Sequence, residues 1–187
     1  MAIRIYDTRT RSKRELVPLE EGKVGLYACG IPPYSPSHIG HARQAISFDI
    51  IVRWLRYRGF QVNYITNFTD VDDKIISVAN GEGVDYLEVA DRNIDDYFRC
   101  MDSLNVIRAD AYPRVTETIP EIIEMITQLM DNGHAYEADD GVYFEIDTSP
   151  EKYGLLTGQT LDMVRAGAGG RVSKTGAGKR DHRDFAL

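Results

Sequence analysis

Two histidines three residues apart, in Ser37-His38-Ile39-Gly40-His41, are the first residues in the chain with a distinctive chemistry. Imidazoles at that spacing share one side of a helix. Pro32, Pro33 and Pro36 forbid a regular element before Ser37, so the pair falls at a helix start. A helix N-terminus presents unpaired N–H groups and a partial positive charge, which suits a polyphosphate. Two imidazoles there can donate to phosphoryl oxygens as charge develops on them. Gly40 has no Cβ and lets a flat base or ribose approach the backbone. The same spacing also fits a helix start with incidental histidines, or a metal-binding pair.

A second segment, Asn67-Phe68-Thr69-Asp70-Val71-Asp72-Asp73-Lys74, is rich in polar groups. The Thr69 hydroxyl offers a donor and an acceptor for a small polar ligand, or caps the following helix. Asp70, Asp72 and Asp73 are carboxylates of the kind a hard cation takes. Acidic residues also favour a helix N-terminus for its own sake, and this is the better reading of the three. Lys74 pairs locally or lays its stem on apolar surface. Cys29 and Cys100 remain; Cys100 falls on a helix and reads as an inert, partly buried thiol.

The elements that must carry these residues follow from periodicity. Val24 to Cys29 reads as a short buried strand ending at Gly30. The next helix places Ile46, Ile50, Ile51, Trp54 and Leu55 on one face and stops at Gly59. Val62 to Phe68 is rich in β-formers. Strand, helix and strand make a βαβ unit, hence a parallel sheet with a right-handed crossover. Ligands bind beyond the C-terminal strand ends of such sheets, where both segments sit.

Further on, Asp72 to Asn80 reads as a short helix. Tyr86 to Leu104 reads as a longer one, with Leu87, Ala90, Ile94, Phe98, Met101 and Leu104 inward. Thr116 to Asn132 is a third, stopped by Gly133. His134 to Glu137 and Val142 to Ile146 flank Asp139-Asp140-Gly141 as a hairpin. Gly167 to Lys179 is rich in glycine and small polar residues and reads as a mobile loop.

Composition narrows the class. Apolar residues make up 43% and charged residues 27%, ordinary globular usage that argues against disorder. A net charge of -7 gives no electrostatic footprint for tight nucleic-acid binding. The N-terminus turns polar at once, apolar stretches are too short to span a bilayer, and two cysteines make no disulfide framework. The expectation is a cytoplasmic protein without membrane contact.

Taken in order, the segments resemble those of cysteinyl-tRNA synthetases. Tyr27-Ala28-Cys29-Gly30 through Ser37-His38-Ile39-Gly40-His41-Ala42-Arg43 is similar to the HIGH signature of class I synthetases. Asn67 to Ile76 is similar to a second segment of the cysteine enzymes. Leu161 to Ala168, with Arg165-Ala166-Gly167-Ala168, and Lys179-Arg180-Asp181 with Asp184-Phe185-Ala186-Leu187 resemble a third. Gly176-Ala177-Gly178-Lys179 is no phosphate loop, because Arg180 replaces the hydroxyl residue and the earlier glycine is missing. Ser173-Lys174-Thr175 lies in the wrong region, and lacks the preceding lysine, for the second class I signature, KMSKS.

The resemblance implies an α/β fold: the first half of a class I synthetase Rossmann-like parallel sheet over residues 1–111, then most of the inserted connective-peptide domain over residues 112–187. It implies ATP, L-cysteine and tRNA(Cys) as partners of the full-length protein, and magnesium with the ATP. It assigns His38 and His41 to catalysis and, with Gly40, to ATP. It assigns Cys29, Gly30 and Thr69 to the cysteine, and Cys29 to a zinc ion. Zinc prefers thiolates and would bind a substrate thiol far better than a hydroxyl, a discrimination that cavity size alone supplies weakly. A buried strand-end cysteine is the alternative for Cys29. The family's other zinc ligands come from later segments, so weak zinc binding or none is expected of this chain. An unpaired sheet edge and an apolar face suggest self-association. Two rival readings are a ligase joining activated cysteine to an amino-sugar glycoside of inositol, as in mycothiol-type biosynthesis, and a non-catalytic nucleotide or amino-acid binding module.

Overall fold

The computed structural model describes residues 2–158 and 178–187. In chain order the elements are strands β1 (Arg4–Asp7), β2 (Ser12–Glu15) and β3 (Lys23–Ile31), helix α1 (Ile39–Tyr57), strand β4 (Gln61–Phe68), helices α2 (Asp73–Glu82), α3 (Tyr86–Ser103) and α4 (Ile119–Asp131), and strands β5 (Ala135–Ala138), β6 (Gly141–Phe144) and β7 (Phe185–Ala186). The segments Leu161 to Ala168 and Ser173 to Thr175, and nearly all of the glycine-rich stretch, lie outside the described residues. Contacts divide the chain into two compact units, Val17–Ile119 and Met1–Leu16 with Pro120–Leu187.

In the unit Val17–Ile119, β3 and β4 pair in parallel from Lys23↔Gln61 to Ile31↔Phe68, with α1 between them in the chain. This is the expected βαβ arrangement. The far edge of β4 is also covered. Residues 110–115 run parallel to it through bonds from Thr66 N to Ala111 O and from Phe68 N to Pro113 O. Fully covered parallel strands read as continuous apolar runs; here burial alternates. Val24, Ala28, Val62, Tyr64, Thr66 and Phe68 are buried, while Gly25, Tyr27 and Asn63 face outward and are exposed.

The helix α1 ends as its sequence dictates. Gly59 adopts φ +90, and Gly59 N donates to Arg56 O while Phe60 N donates to Leu55 O, which closes the last turn. Its buried side differs from expectation. Ala42, Ala45, Val52 and Leu55 are buried, whereas Ile46, Ile50, Ile51 and Trp54 remain 38%, 61%, 37% and 49% exposed. The reason is steric: the small Ala42 and Ala45 let α1 approach Met101 of α3 closely. That choice turns the bulkier stripe away.

The inward face of α3 is Val89, Ala90, Asn93, Ile94 and Met101; Leu87 and Leu104, expected inside, are exposed at its ends. Phe68 packs its ring against Tyr97, Phe98 and Tyr112 with centroids 5.5, 5.6 and 5.5 Å away. This cluster closes the core below the C-terminal ends of the strands.

In the unit Met1–Leu16 with Pro120–Leu187, β1 and β2 form an antiparallel hairpin that periodicity did not announce. Their side chains are mostly exposed, so no apolar alternation marks them. The expected hairpin of β5 and β6 is present, with Ala138↔Gly141 closing on Asp139-Asp140. β7 adds to β6 as a third strand. α4 begins at Ile119, later than expected, because residues 116–118 form a turn in which Thr118 Oγ1 donates to Arg114 O. No residue of α4 is buried; Ile122, Met125, Ile126, Leu129 and Leu187 line an open apolar groove of about 250 Å³.

Candidate functional site

The C-terminal ends of β3 and β4 bring the sequence-derived residues into one neighbourhood of the unit Val17–Ile119. At the end of β3, register slips between Ala28 and Ile31, so a bulge carries Cys29 and Gly30. A bulge re-aims side chains at a strand end. Cys29 is exposed, which removes the buried-thiol alternative. Gly30 is required sterically: a Cβ there would run into the Asn67 backbone carbonyl. The Cys29 carbonyl accepts from Gln44 Nε2 at 2.5 Å, tying the bulge to α1.

The loop between β3 and α1 is held from α3. Asn93, buried on the apolar face of α3, donates from Nδ2 to Pro33 O at 3.1 Å. Asp96 accepts from Ser37 N at 2.8 Å. That backbone bond is the leading reason the Asp96 carboxyl sits below the usual carboxylate range; Arg99 adds to it. Neither residue was foreseen. A polar Asn93 inside an otherwise apolar stripe was the available signal.

His38 is the N-cap of α1. Its Nδ1 accepts from Gly40 N at 3.0 Å, and His41 Nδ1 accepts from His38 N at 3.3 Å, a reciprocal capping box built from two imidazoles. The rings stack at 3.9 Å. A ring nitrogen that accepts carries no proton, so each neutral ring is protonated at Nε2. The capping arrangement therefore leaves two N–H donors at a helix N-terminus. Burial, and then His38, hold His41 below its ordinary pKa, which favours the neutral ring. Gly40 has a second role here: a Cβ would sit 2.7 Å from His38 Cε1 and displace the capping ring.

At the end of β4, Asn67 Oδ1 accepts from Gly30 N and from Tyr27 OH, each at 2.8 Å, and Nδ2 donates to Thr69 Oγ1 at 3.4 Å. Thr69 does not cap α2. Asp72 does, accepting from Lys74 N at 2.8 Å. Asp70 is fully buried and accepts from Thr116 N at 3.0 Å and Thr116 Oγ1 at 2.5 Å. Asp73 lies in the first turn of α2. Asp72 and Asp73 therefore sit at the helix start as expected, whereas Asp70 does not and is committed to Thr116 instead. Lys74 Nζ lies 5.0 Å from the Tyr34 ring centroid.

Among the described residues, no group of three His, Cys, Asp or Glu side chains is placed to hold a metal ion. Zinc requires three or four protein ligands. Cys29 alone does not meet that requirement. No helix among the described residues is long and apolar enough to cross a membrane.

The family model for the class I (C) tRNA synthetase catalytic domain matches residues 15–187. A cysteine–tRNA ligase of Syntrophobacter fumaroxidans is 49% identical over 187 residues, covering 100% of this chain and 37% of that protein. The cysteine–tRNA ligase of Bacillus pumilus is also 49% identical, over 100% of this chain and 39% of its own length. This chain thus spans about two fifths of the curated relatives it matches. Among solved structures, Mycobacterium tuberculosis methionyl-tRNA synthetase in complex with methionyl-adenylate superposes with a TM-score of 0.58 at 23% identity, over 67% of this chain and 25% of that one. That likeness concerns the fold, a class I Rossmann-like sheet.

Proposed function

The chain belongs to the family of class I (C) tRNA synthetase catalytic domains, and from that membership we propose that it supplies the first part of a cysteine–tRNA ligase. The observation that carries the reading is the pair of Nε2–H donors which the His38–His41 capping box leaves at the start of α1, the helix whose Gln44 holds the Cys29 carbonyl. In the first step, a carboxylate oxygen of cysteine attacks the α-phosphorus of ATP; the bond to pyrophosphate breaks, leaving cysteinyl-adenylate. In the second, a ribose hydroxyl of the terminal tRNA adenosine attacks the acyl carbon and AMP departs. His38 and His41 donate to phosphoryl oxygens as charge builds on them, and Gly40 keeps the backbone open to the nucleotide. Gly30 and Thr69 line the cysteine, and magnesium enters with ATP.

We assign Cys29 to the substrate side of the same pocket, as one ligand of a zinc ion whose remaining ligands the described residues do not supply. Residues 1–111 are assigned to the first half of the catalytic sheet and residues 112–187 to the connective insertion, in a cytoplasmic protein. The exposed stripe of α1 is assigned to association between copies when nothing else covers it.

Cysteine-dependent ATP–pyrophosphate exchange tests the reading. In a polypeptide carrying this chain at the full length of its relatives, exchange should require cysteine and ignore serine. His41→Ala should lower its rate by about 10²-fold or more. Exchange indifferent to cysteine sinks the proposal. Transfer to tRNA, set against transfer to an amino-sugar inositol, separates the ligase from its rival. The 187-residue chain alone should not support exchange at a useful rate; exchange near that of an intact synthetase overturns this part.

A further inference from the structure

We propose that Asn67 is a positioning residue that sets the cysteine pocket by tying the two strand ends together. The inference rests on the cysteine-binding reading above and extends it to a residue that touches no substrate atom in that reading. The bulge between Ala28 and Ile31 takes the Gly30 amide out of the β3–β4 ladder. A backbone N–H left without an acceptor is costly, and the Asn67 side chain supplies one at 2.8 Å. The same oxygen accepts from Tyr27 OH, two residues before Cys29 on the outward face of β3. The other end of the carboxamide donates to Thr69 Oγ1.

A carboxamide is the side chain that fits this place. It accepts twice at one end and donates at the other, and its planar geometry fixes the distance between the two ends. Gly30 and Thr69, both assigned to the cysteine, are therefore spaced by one rigid group. The backbone contact between Gly30 and Asn67, too close for a Cβ, fixes the same junction from the main chain. The amide proton of Thr69 closes it from the other side, donating to Ile31 O at 3.2 Å. The pocket is thus set from β4 through the side chain of Asn67, and Cys29 takes its direction from a bulge that Asn67 satisfies.

Asn67→Ala and Asn67→Asp separate this role from general stability. Asp keeps both acceptor bonds, and its second oxygen accepts from the Thr69 hydroxyl in place of donating to it. At the full length of the relatives, Asn67→Ala should raise KM for cysteine about tenfold or more while KM for ATP stays within about twofold, and Asn67→Asp should recover most of the loss. In the chain itself, hydrogen exchange of the Gly30 amide should speed up about tenfold in Asn67→Ala and stay slow in Asn67→Asp, with the α3 amides unchanged in both. An unchanged cysteine KM in an active Asn67→Ala enzyme overturns this inference alone. So does a parallel rise in both KM values with α3 exchange accelerated, which is loss of fold. A wild-type enzyme without cysteine-dependent exchange overturns the functional reading as well, and is told apart by its silence before any substitution is made.

Discussion

At the scale of single residues, the two sets of polar groups flagged by the sequence separate into those that face outward and those that serve the fold. Asp70 belongs to the second. It is buried and accepts twice from Thr116. Asp70→Ala leaves those donors without partners and should cost about 2–3 kcal/mol in urea unfolding. Added magnesium should leave the melting temperature of the wild type unchanged, as expected of a carboxylate already committed. The histidines make a different case. His41 has its charged form disfavoured in the folded protein, first by burial and then by His38. The unfolded chain keeps the ordinary value, near 6.5. Above that pH both states hold the neutral ring and the difference has no effect. As pH falls below it the unfolded chain binds the proton first, so stability drops until the lowered folded value is passed. Melting temperature should therefore fall as pH drops through about 6.5, and His41→Asn should lose less over that descent. For Asp96, whose pKa is also lowered, the stabilisation is lost only as pH falls through the ordinary aspartate value, about 3.9, and on toward the lower folded value.

At the scale of elements, helices with a glycine stop and a polar start were legible, because their signals are local. Gly59 and Gly133 end α1 and α4 with left-handed φ of 90 and 73, and Asp72 begins α2. What could not be read was which face of α1 turns inward, since that depends on how closely α3 can approach Ala42 and Ala45. The β1–β2 hairpin was missed because it buries little. The bond set of Asn67 was missed because the bulge it satisfies exists only once β3 and β4 are paired. β7 was hidden for a related reason. Two residues do not make a periodic strand, and this one is anchored by its neighbour Asp184, which is buried and accepts from Tyr136 OH at 2.7 Å, Ile146 N at 3.1 Å and Asp181 N at 3.1 Å. The segment Lys179 to Leu187, singled out by resemblance, thus acts in the fold of its own unit. Asp184→Ala would orphan three donors and should destabilise that unit by about 3 kcal/mol or more. Hydrogen exchange at Tyr143 and Phe144, the partners of β7, should accelerate, while amides in α3 should not respond.

At the scale of the whole molecule, two features act in opposite directions. A net charge of -7 makes copies repel. The stripe Ile46, Ile50, Trp54 and Tyr57 on α1 recurs at helical spacing, is 38%, 61%, 49% and 80% exposed, and lies in a chain about two fifths the length of its relatives. An apolar stripe of this kind is a site of association when nothing covers it. The contest can be read with salt, because repulsion between exposed charges is screened within about 10 Å at 0.1 M whereas apolar burial is not. Sedimentation velocity on the 187-residue chain should show association that grows with protein concentration and strengthens from low to moderate salt. Trp54, the single tryptophan, reports from inside the stripe, and its emission should shift to the blue as association proceeds. The paired substitution Ile50→Glu and Tyr57→Glu leaves that reporter in place and should give a monomer whose emission does not move on dilution. Association that weakens with salt would assign it to charge pairing instead. Association untouched by the paired substitution would shift it from α1 to the outer edge of β3, where Tyr27 and the strand backbone face outward.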